Sequence, residues 1–228
     1  NKKLLNFSEL LNCKKFILLS AICVQKPKLS FQFAKIKFEN LLISSNITYS
    51  IVRPTAYFKS LAGQVQNVIK GKSFIVFDNG KKTACKPISE SDLATFICDC
   101  LTLKDRENKI LPIGGKGPSI SPLEQGELIF RLLNKSPKIM RVPSQVFNCL
   151  SLLITPLTFF SEKFKDLKEF LQIGKYYATE SMLLWDPNTK TYSSEKTPEF
   201  GNETLENFYG KIIKNGISGQ ELGHHKLF

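Results

Sequence analysis

Three consecutive segments near the start restrict this chain more than anything else in it. Phe16-Ile17-Leu18-Leu19 runs into Ser20-Ala21, and Tyr49-Ser50-Ile51-Val52 runs into Arg53-Pro54-Thr55. Short apolar runs rich in β-branched and aromatic residues, closed by polar or proline punctuation, read as buried strands. Between them, residues 29–42 place Phe31, Ala34, Phe38, Leu41 and Leu42 at helical spacing, so they form one buried stripe. Two strands joined by a helix make a right-handed parallel crossover unit. Such a unit implies an α/β fold, whose ligand crevice lies at the carboxyl ends of the strands. Ser20 and Thr55 stand at those ends.

Further elements follow the same logic. Residues 4–11 and 58–69 read as helices, the second closed by Gly71. Residues 74–77, followed by Asp78-Asn79-Gly80, read as a hairpin arm or short edge strand. Ser89 is positioned to cap a helix beginning Glu90-Ser91-Asp92. Residues 109–113 form a strand, and Gly114-Gly115-Lys116-Gly117 reads as the turn after it. A Gly-rich loop in that place can cradle phosphate. Here the next helix opens with Ser121-Pro122-Leu123-Glu124, a capping box with proline at its first position, which favours a plain turn. Residues 142–160 are the most apolar stretch and are expected to pack as core. They are too short for a bilayer span of ~20 residues and carry Pro156. Shaping a pocket for a large apolar ligand and touching a membrane surface are the alternatives. Residues 164–182 read as a partner helix, and residues 203–213 as a last helix closed by Gly216.

The chain has 228 residues and a formal net charge of +12. That charge raises nucleic-acid and membrane partners. Nucleic acid is disfavoured, because the lysines are scattered and never interleave with aromatics as in a single-strand binder. Arg53, Arg106, Arg131 and Arg141 are the only arginines, and a solvated lysine-rich surface fits better. The six cysteines lack C-x-x-C spacing, and a chain this long needs no disulfide staples. They read as thiols in a reducing compartment, with no metal bound. His224-His225 reads as a tail pair without a third ligand.

Longer strings carry a resemblance. Leu18-Leu19-Ser20-Ala21-Ile22-Cys23-Val24-Gln25-Lys26-Pro27 is one. Ser50-Ile51-Val52-Arg53-Pro54-Thr55-Ala56-Tyr57-Phe58-Lys59-Ser60-Leu61 is another. Ala84-Cys85-Lys86-Pro87-Ile88-Ser89-Glu90, Leu111-Pro112-Ile113-Gly114-Gly115 and Pro122-Leu123-Glu124-Gln125-Gly126-Glu127 follow in order. Together they resemble the NADPH-dependent, NmrA-like 8-vinyl reductases of divinyl chlorophyllide, an atypical branch of the short-chain dehydrogenase/reductases. The resemblance runs from about Asn12 to Gly219-Gln220-Glu221-Leu222-Gly223. It implies the C-terminal part of a Rossmann-like NAD(P)-binding fold. Residues 1–113 would be the second half of the nucleotide domain, and residues 114–228 a mostly helical substrate-binding region. Opening at Asn1 inside a helix reads as truncation, with the Gly-rich phosphate loop upstream.

The resemblance also assigns roles. Ser20 stands at the usual active-site serine position. Lys35 stands where a lysine holds the cofactor ribose, and Pro54 and Thr55 line the nicotinamide. The usual proton-transferring tyrosine is replaced by Phe31, which transfers no proton. That suits reduction of a vinyl group conjugated with a macrocycle, where negative charge spreads over the ring. Tyr57 or solvent would then give the proton. Arg53 and Lys59 flank the crevice. Arg53 either grips a substrate carboxylate with its two-pronged guanidinium or serves as a buried ion-pair partner. The implied cofactor is NADPH, the substrate a chlorophyllide-type magnesium tetrapyrrole, and the location the plastid. Three other readings stay open: a reductase of another conjugated alkene, a nucleotide-sensing regulator without catalysis, and a peripheral protein of membrane surfaces anchored by residues 142–160.

Overall fold

A computed structural model describes residues 2–216. In chain order the first elements are α1 (Lys2–Leu10), β1 (Lys15–Leu19), α2 (Ser30–Ile43), β2 (Thr48–Pro54), α3 (Phe58–Leu61), α4 (Val65–Ile69), β3 (Phe74–Phe77), α5 (Glu90–Thr102) and β4 (Lys109–Gly115). Then come α6 (Pro122–Leu132), β5 (Ile139–Val142), α7 (Val146–Ile154), α8 (Glu162–Thr179), β6 (Leu184–Asp186), β7 (Thr191–Ser193), β8 (Glu199–Phe200) and α9 (Leu205–Asn215). They form two compact units. The first comprises Asn1–Tyr57, Lys86–Pro118 and Met182–Thr204; the second comprises Phe58–Cys85, Ser119–Ser181 and Leu205–Phe228 as far as it is described. The chain therefore passes between units several times instead of dividing once near residue 113. Strand pairing decides this: β8, late in sequence, adds to the sheet of the first unit.

That sheet is parallel throughout, in the order β1-β2-β4-β8. Register places Leu19 beside Val52 and Pro54 beside Ile113. Alternation sends neighbouring side chains to opposite faces. Ile51 packs with Leu5, Phe38, Leu42 and Ile47 on the α2 side. Val52 packs with Ile88, Leu93, Phe96, Cys100 and Ile113 on the α5 side. Each fully buried side chain of this kind contributes roughly 1.5–3 kcal/mol, which is why both faces carry a helix.

The end of β4 runs against the segment Lys86-Pro87-Ile88. A Cβ on Gly115 would lie 2.1 Å from the Pro87 carbonyl oxygen, and one on Gly114 would lie 2.9 Å from Lys86 Cβ. These two glycines are thus strand residues chosen for close backbone approach, and the expected turn begins only after them. Gly117, with φ +104, takes the left-handed conformation of that turn. Asp92, at the start of α5, accepts the Glu203 backbone N–H at 3.0 Å and anchors the stretch after β8. Ser89 caps α5 as expected, accepting from the Asp92 N–H at 3.0 Å.

In the second unit Phe58, Val65, Phe74, Val76, Ile129, Tyr209 and Ile212 share one core. Tyr209 is wholly buried and its hydroxyl donates to the Leu61 carbonyl at 3.0 Å. The expected capping box of α6 is present: the Ser121 N–H donates to the Glu124 carboxylate at 2.7 Å. Two expectations change. Residues 58–69 break into α3 and α4, because Ala62-Gly63-Gln64 interrupts the helix. Of the two readings of residues 74–77, the short edge strand holds and the hairpin arm does not: β3 pairs in parallel with β5, whose apolar run is too short to announce itself.

The apolar stretch 142–160 is the larger correction. It forms α7 and a 3-10 turn (Thr155–Phe159), but of α7 only Phe147 is buried. Leu152 is 77% exposed and Phe159 86%. α8 does pack on α7, with Gly174 leaving room for the Phe147 ring: a Cβ there would meet it at 2.7 Å. That contact uses one face of a mostly apolar helix, and no described residue covers Leu152 and Leu153 on the other. Among the described residues no helix is long and apolar enough to cross a membrane. All six cysteines are free; Cys100 is buried and Cys98 exposed, as their two-residue spacing on a helix requires. His224 and His225 lie outside the described residues.

Candidate active site

The carboxyl ends of β1 and β2 are tied together through α2. The backbone continues β1 by one bond, Ser20 N–H to the Val52 carbonyl at 2.8 Å, so that Ser20 stands level with Arg53. Both side chains meet Glu39, which α2 carries and which is fully buried. The Ser20 hydroxyl donates to Glu39 Oε1. Arg53 Nε donates to the same oxygen at 3.1 Å, and Arg53 Nη2 donates to Oε2. This is a two-pronged, charge-assisted pair, the strongest common geometry for carboxylate binding.

Sequence reasoning missed Glu39. A lone glutamate on an amphipathic helix ordinarily faces water. The available signal was its spacing: Glu39 follows Lys35 by four residues and therefore shares its helix face. The pair bears on the two readings of Arg53. Two of its guanidinium nitrogens, Nε and Nη2, face Glu39, which matches the ion-pair reading. The Ser20 role changes: its hydroxyl proton points inward to a carboxylate, and Ser20 itself is buried.

Lys35 is half-buried on α2, and its ammonium has no hydrogen-bond or ion-pair partner among the described residues. Cys23, on the 3-10 turn Ile22–Gln25 just after Ser20, lies within electrostatic reach of both Lys35 and Arg53. Burial pushes its thiol up, partly offset by the nearby Gln32 amide and by those two cations. Gln32 is itself buried. Its Oε1 accepts the Lys28 and Leu29 N–H groups at 2.7 and 3.0 Å, closing the first turn of α2. Cys23 was read only as an inert thiol; its place three residues beyond Ser20 was the clue to a position in this corner.

Tyr57 pairs its backbone with Ile88 and is half-buried against the α5-side core. Burial raises its phenol above the ordinary value, helped by the negative field of Glu90 and by Cys23. It therefore keeps its proton at neutral pH. The Thr55 N–H continues the ladder to the Ile113 carbonyl at 2.9 Å, while its hydroxyl donates to the Lys86 carbonyl. Pro54 closes β2 in register with Ile113. Ser20, Cys23, Lys35, Arg53, Pro54, Thr55 and Tyr57 thus all belong to one unit at or just beyond the strand ends. Lys59 does not: it lies on α3, in the second unit.

A parallel sheet flanked by helices on both faces defines a Rossmann-like α/β class of fold. Among solved structures, an NADPH-dependent quinone oxidoreductase of Escherichia coli, complexed with NADPH, superimposes with a TM-score of 0.66. The match covers 91% of this chain and 69% of that one at 12% identity. No family model matches the chain. Among curated proteins, the chain is 52% identical over 218 residues to the chloroplastic divinyl chlorophyllide a 8-vinyl-reductase of Zea mays, covering 93% of this chain. It is 51% identical over 216 residues to the enzyme of the same name from Arabidopsis thaliana. The chain spans about half the length of these relatives, 54% and 52% respectively.

Proposed function

We propose that this chain is part of an NADPH-dependent reductase of plastids that converts the 8-vinyl group of divinyl chlorophyllide, or of its protochlorophyllide precursor, to ethyl. The observation that carries the reading is the 52% identity sustained over 93% of the chain. The crevice fits it. A half-buried lysine whose ammonium has no carboxylate partner among the described residues, on the helix beside the strand ends of a Rossmann-like sheet, suits a ribose hydroxyl. Lys35 would hold that sugar, and Pro54 and Thr55 would border the nicotinamide.

When bound, NADPH supplies the hydride. The chain's own residues supply position and a proton. Phe31 offers a ring face and no acid. The Ser20 hydroxyl is held by Glu39, so neither residue offers a proton to a carbonyl oxygen. An alkene conjugated with a macrocycle needs no oxygen-directed acid, because charge left on carbon spreads through the ring. Tyr57, kept protonated by burial, holds a proton that can pass from its Oη to that carbon. The test is absorption spectroscopy and pigment chromatography with the full-length protein carrying this sequence. Divinyl chlorophyllide plus NADPH should yield the monovinyl pigment, and absence of that product in a well-folded preparation refutes the reading.

The bare apolar side of α7 and the turn after it supports a further element of this reading, peripheral contact with a membrane surface. Phe159 and Phe160 are the most exposed large apolar residues there. Replacing both with Asp should reduce sedimentation with liposomes without lowering the melting temperature; unchanged sedimentation removes the element. Phe31 favours one other reading, a nucleotide-binding regulator. It predicts NADPH binding without turnover.

A further inference from the structure

Among the described residues, Glu39 is the one fully buried carboxylate tied to both strands of the crevice, and the reductase mechanism above leaves it without a role. Its oxygens take the Ser20 hydroxyl from the end of β1 and the Arg53 fork from the end of β2. Glu39 is 0% exposed and the Arg53 side chain 19%. Removing water from a carboxylate costs several kcal/mol unless its oxygens are satisfied, and here both are. The third member of the geometry is Lys35, one helical turn earlier on the same face of α2. A helix is stiff over one turn, so anchoring Glu39 sets where Lys35 projects. Phe38 and Leu42 turn the apolar face of α2 toward the sheet, and the Glu39 bonds add a directional tie at the strand ends.

We propose that Glu39 is a positioning residue. By fastening α2 to the ends of β1 and β2 through Ser20 and Arg53, it fixes the rotation and height of α2 and so places the Lys35 ammonium on the cofactor's sugar. The proposal rests on the NADPH reading, and it reassigns Ser20 from a group facing the substrate to an anchor point. It also accounts for the coexistence of an intact lysine with a serine whose proton is unavailable. No bond is made or broken by Glu39; its effect is geometric.

A double-mutant cycle in NADPH affinity, read by nucleotide fluorescence without any pigment, tests it in the full-length protein. Glu39→Gln should weaken NADPH binding by about tenfold when Lys35 is present, and by less than twofold in the Lys35→Met background. Thermal melts of the same four proteins read the purely structural cost, which should be equal in both backgrounds. Should Glu39→Gln fail to fold, the pair Glu39→Gln/Arg53→Met, which leaves no orphan charge, enters the same cycle. An equal loss of affinity with and without Lys35, or no loss at all, overturns the positioning role while leaving the reductase reading standing. Failure of the unaltered protein to bind NADPH overturns both.

Discussion

Gly115→Ala tests the close approach at the end of β4 directly. The added Cβ would sit 2.1 Å from the Pro87 carbonyl oxygen, 3.0 Å from the Pro87 carbonyl carbon and 3.1 Å from Ile88 Cα. All three are backbone atoms, so no side chain can swing aside. The strand end and the 86–88 segment would have to part by roughly 1 Å, well beyond what a close-packed interior absorbs freely. That movement strains the Gly115 N–H to Lys86 carbonyl bond, 3.2 Å, and the Thr55 hydroxyl bond to the same carbonyl. Two weakened hydrogen bonds at about 1 kcal/mol each, with about 1–3 kcal/mol of overpacking, give a loss on the order of 3–5 kcal/mol. For a chain of this size that lowers the melting midpoint by roughly 6–20 °C. Gly117→Ala is the control: a Cβ there meets nothing within 4 Å, and only its φ of +104 is strained. Urea unfolding followed by circular dichroism should place Gly115→Ala well below Gly117→Ala at similar m-values. Equal stabilities would refute the claim that 86–88 lies against β4.

Lys35→Ala in the full-length protein should raise the NADPH dissociation constant by at least tenfold while leaving the melting temperature within a few degrees; titration calorimetry checks both the affinity and the stoichiometry. Tyr57→Phe should cut single-turnover vinyl reduction by about a hundredfold if the phenol is the donor, and undiminished turnover excludes it. In the parent the phenol stays protonated, so its ionisation should leave the rate level up to about pH 9. Ser121→Ala should cost about 1 kcal/mol at neutral pH through loss of the α6 cap. Hydrogen bonds from Ser121 hold the Glu124 carboxyl below its ordinary value. A depressed folded-state value stabilises above the unfolded value and is lost as pH falls through the folded one. The gap between parent and variant should therefore shrink below about pH 4 in acid titrations of unfolding. A gap that widens there would contradict the capping geometry.

What was legible in the chain was local. Helical spacing announced α2, apolar runs announced β1, β2 and β4, and Ser89 and Ser121 announced two helix starts, because a cap or a periodic stripe acts within a few residues of itself. Phe31 in place of a proton donor was legible for the same reason: a side chain without an ionisable atom needs no structure to disqualify it. The rest depended on partners distant in sequence. Glu39 reads as a solvated helix residue until Ser20 and Arg53 are brought beneath it. Gly114 and Gly115 read as a turn until Lys86-Pro87 lies across them. β3 was legible as a short strand, but β5, four residues long, becomes one only by pairing with it. The apolar run of α7 reads as core, yet tertiary structure gives it one helical neighbour and leaves Leu152 and Phe159 bare. Periodicity states which residues seek burial; only the folded chain determines which of them find it, because burial and charge pairing are set by surfaces that the sequence keeps far apart.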